Sequence, residues 1–331
     1  MRSGTAFTFA RRPRSLPAAS AIVSALVLLP LLAASLVTSV PAASSVPPAS
    51  LFAKSVFNLD VQGWAVDPSS QEYVADVVAD YKTAYGTVGV NTLPVYQAPG
   101  NQPAISVSAA AGCGNFTGET GRSVPIPDDV SFNGSGDSPL VVYKGHTEWE
   151  FWKASRLYNG SYTACWGGRL NMASSDGVFP FPWGLSATGI SYLATTVTEA
   201  DIESGSIGHA IAVILPRCDG PPVYPADRGD CGNDPGQPHE GQWFRFAPGT
   251  TMPGGLTPFG RMVFRAISVH GMVVVDQGGC VCIEAEQESD WAAQGHQGTD
   301  PLTRSFRGQP EYSVVARLPW WDLQAVDPPG H

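Results

Sequence analysis

Lysine is scarce in this chain. Only Lys54, Lys82, Lys144 and Lys153 contribute to its 19 basic residues, which face 29 acidic ones, and the formal charge is -10. An acidic protein is a poor ligand for nucleic acid or anionic lipid, because both repel it. The chain also lacks Gly-x-Ser-x-Gly, His-Glu-x-x-His and a phosphate loop. Their absence argues against a serine hydrolase, a zinc protease or a nucleotide enzyme. Beyond the N-terminal region, no segment is long and apolar enough to span a membrane.

That N-terminal region reads as an export signal over residues 1–42. Arg2, Arg11, Arg12 and Arg14 form a basic start, an apolar run follows from Ala18 to Val40, and Val40-Pro41-Ala42 supplies small residues for cleavage. Losing these four arginines takes the formal charge from -10 to about -14. The expected mature chain is extracellular or at the cell surface. Residues 43–55, rich in Ala, Ser, Val and Pro at their start, read as a linker, and 56–327 as a single β-rich domain.

The six cysteines are Cys113, Cys165, Cys218, Cys231, Cys280 and Cys282. An even count in an exported chain favours disulfides. Cys218 and Cys231 flank a Pro/Gly/Asp loop and make the simplest pair. Cys280-Val-Cys282 departs from the two-residue spacing of redox and zinc pairs. It reads as two strand cysteines bonded to different partners.

Helical periodicity is convincing twice. Ser69-Ser70-Gln71-Glu72 is a capping box before Val74, Val77, Val78 and Tyr81, and Thr257-Pro258 precedes the stripe Phe259, Met262, Val263, Ala266 and Ile267. Thr198 caps a further turn or two, with Gly205 at its end. Most of the rest is short apolar runs cut by Pro, Gly, Asn and Asp, with a long loop region over 216–258. This mix predicts a mainly β fold, sandwich or jelly-roll-like, with two or three amphipathic helices packed on it.

The densest chemistry lies in Val141 to Ala154, a hairpin turning at Lys144-Gly145. On its second arm His146, Glu148, Glu150 and Trp152 share one face, and Thr147, Trp149 and Phe151 the other. Two carboxylates two residues apart on a strand suit the acid/base pair of a glycosidase, and are equally ordinary on a solvated strand face. His209, before Ala-Ile-Ala-Val-Ile-Leu, and Asp276, ending an apolar run, complete the candidate catalytic set of Glu148, Glu150, His209 and Asp276. Asp227, Asp230 and Asp234 crowd oxygen ligands into one loop that could suit calcium, without the spaced calcium-loop signature; no other cofactor is indicated.

In order, Val124-Pro-Ile-Pro127, Trp149-Glu-Phe-Trp152, Ile207-Gly-His-Ala210, Tyr224-Pro-Ala226 and Gly271-Met272 with Asp276 resemble a family of uncharacterised exported bacterial proteins. The resemblance runs over roughly Asn58 to Trp291 and carries no activity. It implies an acid at Glu150, a histidine at His209 and an acid at Asp276. An Asp-Arg-His run of that pattern reads Asp137-Ser138-Pro139 here, and an Ala-Asp-Ala-Ala-Gly run reads Leu185-Ser-Ala-Thr-Gly189, without its acid. If those positions belong to an active site, this chain is a degenerate, non-catalytic member.

Eight tryptophans from Trp149 to Trp321 offer the flat surfaces on which sugars stack. The expected function is therefore a polysaccharide-active hydrolase or lyase using a carboxylate pair. The alternative is a non-catalytic glycan-binding or cell-surface protein on the same fold.

Overall fold

The computed structural model describes residues 46–82, 88–120, 123–132, 136–288, 291 and 295–330. The expected signal over 1–42 lies outside them.

Among the described residues the chain is mainly β, with fifteen strands in three sheets. The largest has the order β1 (Ala65–Val66), β15 (Leu323–Asp327), β12 (Trp243–Phe246), β13 (Met272–Gln277), β11 (Ile211–Leu215), β14 (Val281–Glu286) and β2 (Val88–Leu93). It is mixed, since β11 runs parallel to β13 and β14 parallel to β2. A second sheet has the order β10 (Trp166–Asn171), β7 (Thr147–Trp152), β6 (Leu140–Lys144) and β3 (Val95–Gln97). The third is β5 (Ser123–Val124), β4 (Ile105–Ala109), β9 (Tyr162–Ala164) and β8 (Ser155–Arg156).

Three apolar clusters join these layers. One face of the seven-stranded sheet supplies Ile211, Val213, Met272, Val274 and Ile283 to a core with helices α1 (Ser70–Lys82), α5 (Pro258–Val269) and α6 (Pro301–Phe306). Its other face packs Ala212, Val273 and Val275 with Val141, Tyr143 and Leu170 of the second sheet. The far face of that sheet buries Leu140, Val142, Trp149 and Phe151 with Val107 and Tyr162 of the third.

The expected first helix starts at Ser70, and α5 and the turn capped by Thr198 form where their caps are. In α5 the Thr257 side chain accepts from Gly260 N, Pro258 sits in the first turn, and all five residues of the apolar stripe are buried. Thr198 and Asp201 make a reciprocal capping box on α4 (Glu199–Ser204), closed by Gly205 in the left-handed region. Two shorter helices are α2 (Thr117–Thr120) and α3 (Tyr192–Thr195).

Some expectations shift. Within the stretch expected as linker, Pro48–Leu51 forms a 3-10 turn, and Phe52 is fully buried in a cluster with Phe57. A phenylalanine removed from water anchors its segment. The final strand runs Leu323–Asp327, after two 3-10 turns at Glu311–Ser313 and Trp320–Asp322 with Pro319 between them. The strand after His209 begins at Ile211.

Three disulfides close: Cys113–Cys165, Cys218–Cys231 and Cys280–Cys282. The second is the expected one. The third overturns the expectation of separate partners for Cys280 and Cys282. Three disulfides and no free cysteine among the described residues suit a chain that folds in an oxidising compartment. No helix among the described residues is long and apolar enough to cross a membrane.

Candidate functional site

On β7 the side chains alternate as its sequence dictates, with Trp149 and Phe151 in the core shared with the third sheet. Glu148 and Glu150 take the opposite face, yet both are fully buried rather than solvated. They are covered by the loop leading into α3 and are engaged with its backbone. Glu150 accepts from Leu185 N at 2.9 Å and from Tyr192 N at 2.7 Å. Glu148 accepts from Ser191 Oγ at 2.9 and 3.0 Å and from Leu193 N at 3.3 Å. Gly168 lies across from Glu150 in β10, where a Cβ would come within 2.9 Å of Gly184 N. The missing side chain is what lets the loop approach.

Burial raises both carboxyls, Glu148 more strongly through the adjacent charge of Glu150 and a hydrogen bond between them. One proton held by Glu148 and donated to Glu150 satisfies the pair. Neither is among the residues lining the cleft that Asp276 reaches, and together they hold this loop.

His209 is also buried and elsewhere engaged. Its Nδ1 is 2.8 Å from Ala210 O and its Nε2 is 3.4 Å from Asp201 Oδ2, the atom that also accepts from Thr198 N and Oγ1. Burial opposes the charged ring, but Asp201 and the Ala210 carbonyl outweigh it and raise its pKa. His209 thus braces the cap of α4.

Of the four catalytic candidates, Asp276 lines an open cleft. In β13, Val274 pairs with Val213 but Asp276 pairs with Ile214, so Val275 is an extra residue in the ladder. Strict alternation would put Asp276 on the helix-covered side with Met272 and Val274. The bulge turns it to the other side, where it lines a cleft with Ile214.

That cleft has a volume of about 970 Å³. Asp276, Glu284, Tyr192 and Asn91 are among its lining residues, with Trp152 and Trp166 from the second sheet, Asp230 and Arg228 from the 216–242 loop, and Cys280. Asp276 Oδ1 accepts from Gln277 N at 2.8 Å, and Tyr192 OH lies 3.4 Å from Oδ2. Glu284 is 1% exposed; one oxygen accepts from Asn91 Nδ2 at 3.0 Å and the other has no partner among the described residues. Burial is the main cause that lifts Asp276 to about 7, helped by Asp230, and Glu284 to about 8, helped by Asp276. Burial pushes the Tyr192 phenol well above its usual value, with the charges of Asp276 and Glu284 adding to the effect.

The rim is held by Arg228, whose guanidinium donates to the carbonyls of Pro182, Trp183, Gly184 and Ser186. This cation is therefore committed to the loop that also binds Glu150. Trp152 is covered by Lys153 Nζ at 4.2 Å, and its Nε1 donates to Asp137 Oδ1 at 3.0 Å. Trp166 stacks on Trp183 with ring centroids 4.6 Å apart. Trp149, Trp243 and Trp320 are buried, and Trp321 is exposed outside the cleft.

Of the three loop acids, Asp230 joins a carboxylate group, but with Glu240 and Asp276 rather than with Asp227 and Asp234. Oxygens of these three lie within 4.8 Å of one another. Three carboxylates are a ligand set a hard cation such as calcium accepts. Glu240 also accepts from Asp230 N at 2.9 Å, and burial raises its pKa to about 8.

Glu284, Tyr192, Asn91, Arg228 and Glu240 are absent from the candidates read from the sequence. For Glu284 a signal existed: Val281-Cys-Ile-Glu-Ala-Glu286 alternates, with apolar residues on one face and Cys282, Glu284 and Glu286 on the other. The rest come together only through the fold. Compared with family models, curated proteins and solved structures, the chain matches none.

A pH dependence follows from the two cleft acids. Their folded pKa values lie above the ordinary 3.8 and 4.5, so the folded state keeps protons that the unfolded chain has released. Their contribution is full below about 4 and is lost as pH rises through about 7 and about 8. The melting temperature should fall by several degrees between mildly acidic and mildly alkaline buffer. Calorimetry of wild type and Glu284→Gln across that range checks this: the substitution should flatten the slope.

Proposed function

We propose that this chain is an extracellular hydrolase of neutral polysaccharide, with Glu284 as general acid and Asp276 as its partner carboxylate. The observation that carries the reading is the position of Glu284, a buried carboxyl with one unpartnered oxygen in a cleft that Asp276 and two tryptophans also line. Near neutral pH Glu284 holds its proton and can give it to a glycosidic oxygen as the bond to the anomeric carbon breaks. Asp276 loses its proton first, and its carboxylate can then assist water or attack the anomeric carbon. Tyr192 and Gln277 N hold Asp276 in place. Trp152 and Trp166 offer the apolar surface a sugar ring covers.

A lyase acting on uronates fits less well. Its substrate would bring carboxylates against Asp230, Asp276 and Glu284, while Arg228 is engaged by carbonyls. The layered packing of the second and third sheets supports a sandwich-like description of that half. The resemblance to exported bacterial proteins belongs to this same reading.

Glycan binding without turnover is the second reading. It is favoured by Ser186, which stands where the resembled pattern has an acid and bonds Ile190 O at 2.7 Å. The test is a panel of neutral and acidic polysaccharides, assayed for binding and for release of new reducing ends. Release from a neutral polymer is the expected result. Binding without release would favour the second reading, and neither activity on any polymer would remove both.

A further inference from the structure

Two of the three disulfides join distant parts of the chain, and the third does not. The sequence separations are 52 for Cys113–Cys165, 13 for Cys218–Cys231 and 2 for Cys280–Cys282. A disulfide restricts the unfolded chain more when the loop it closes is longer. Linkage makes this reciprocal: a fold that holds two distant thiols together stabilises their bond by as much as the bond stabilises the fold. Cys280 and Cys282 are neighbours whether or not the chain is folded. Their bond therefore receives the least support from folding, and its opening costs folding the least.

Its surroundings favour access to one sulfur. Cys280 is partly exposed and lines the cleft with Gly278 and Gly279, and nothing lies within 4 Å of where a Cβ on Gly279 would stand. Cys282, on β14, is 5% exposed, and Cys218 of the loop disulfide is fully buried. Cys113 and Cys165 also reach the cleft, but they carry the longest closure. No free cysteine exists among the described residues, so an attacking thiol comes from outside.

We infer that Cys280–Cys282 is a thiol-exchange site in the cleft, open to a small dithiol or a peptide carrying two thiols. A thiolate of the ligand attacks Cys280 Sγ, forming a ligand–Cys280 disulfide as the Cys280–Cys282 bond breaks. Cys282 leaves as a thiolate and takes a proton from solvent. The ligand's second thiolate then attacks the ligand sulfur of the mixed disulfide, and Cys280 leaves and is protonated in turn. The ligand dithiol is oxidised to a disulfide, and the cysteine pair gains two electrons and two protons. No further oxidant enters, and the inference does not depend on the glycan reading.

The test is a redox titration of the folded full-length chain in mixtures of reduced and oxidised dithiothreitol. Thiols are trapped by acid, alkylated and mapped by peptide. Cys280 and Cys282 should become alkylated at a reduced-to-oxidised ratio at least about tenfold below that needed for the other four cysteines. Tryptophan fluorescence should stay native at that point. Cys282→Ser should in addition leave Cys280 able to take up one glutathione from oxidised glutathione. Opening of Cys113–Cys165 or Cys218–Cys231 first, or of all three together on unfolding, would overturn the inference. If Cys282→Ser does not fold, the wild-type titration decides alone.

Discussion

Replacing Glu284 by Gln should remove turnover of the responsive polysaccharide, by ~10²–10⁴-fold, and leave the fold intact. The amide keeps the shape and the hydrogen bond from Asn91 Nδ2 but has no acidic proton to give. The stability response sets this prediction apart from simple damage. Glu284 is buried with a pKa raised to about 8, so its charged form is costly in the folded state. The neutral amide removes that cost, and Glu284→Gln should be at least as stable as wild type above about pH 8. Asp276→Asn should lower turnover similarly, since its carboxylate is the partner. Initial rates beside thermal melts on both variants check this. Full activity in Glu284→Gln would remove the assignment of Glu284 as the acid.

The second large effect is one of stability, and it separates two residues that look alike in sequence. Glu150 accepts from two backbone N–H groups, Leu185 and Tyr192, and from the proton on Glu148. In Glu150→Gln one acceptor becomes an NH₂ group facing a buried N–H. Leaving a buried donor unsatisfied costs ~1–3 kcal/mol. If the shared proton sits on Glu148, whose carboxyl is raised the more strongly by burial and by the neighbouring Glu150, Gln at 148 keeps a donor toward Glu150 and an acceptor for Leu193 N. Glu150→Gln should therefore lower the denaturation midpoint clearly more than Glu148→Gln, and Glu150→Ala should cost more still, ~3–5 kcal/mol, by stranding both N–H groups and the Glu148 proton. Urea unfolding of the three variants checks the order. Equal losses for the two glutamines would refute the proton assignment.

This prediction gives Glu150, a catalytic candidate in the sequence, a role in holding the fold together. The alternation on β7 was readable, and it correctly separates Glu148 and Glu150 from Trp149 and Phe151. What lies opposite that face was not readable. A strand with acids on alternate positions looks the same whether they meet water or the backbone of a loop forty residues away. The loop from Leu185 to Leu193 comes close because Gly168 leaves room for it and Arg228 holds its carbonyls. Each of these is a contact between distant parts of the chain.

Local chemistry determined much else. Thr257-Pro258 and its apolar stripe specify α5, Thr198 with Asp201 specifies the start of α4, and the turn-rich loop between Cys218 and Cys231 specifies that bridge. Caps, stripes and short loops depend on residues a few positions apart, so the sequence displays them directly. Tertiary structure alone decided the site. The bulge at Val275 turns Asp276 from the helix-covered face to the cleft, and bulges are set by how two strands pair. Asn91 meets Glu284 because β2 runs parallel beside β14, with the two residues in register. Burial then raises the pKa values of Asp276 and Glu284, and burial belongs to the packed layers, not to any stretch of sequence.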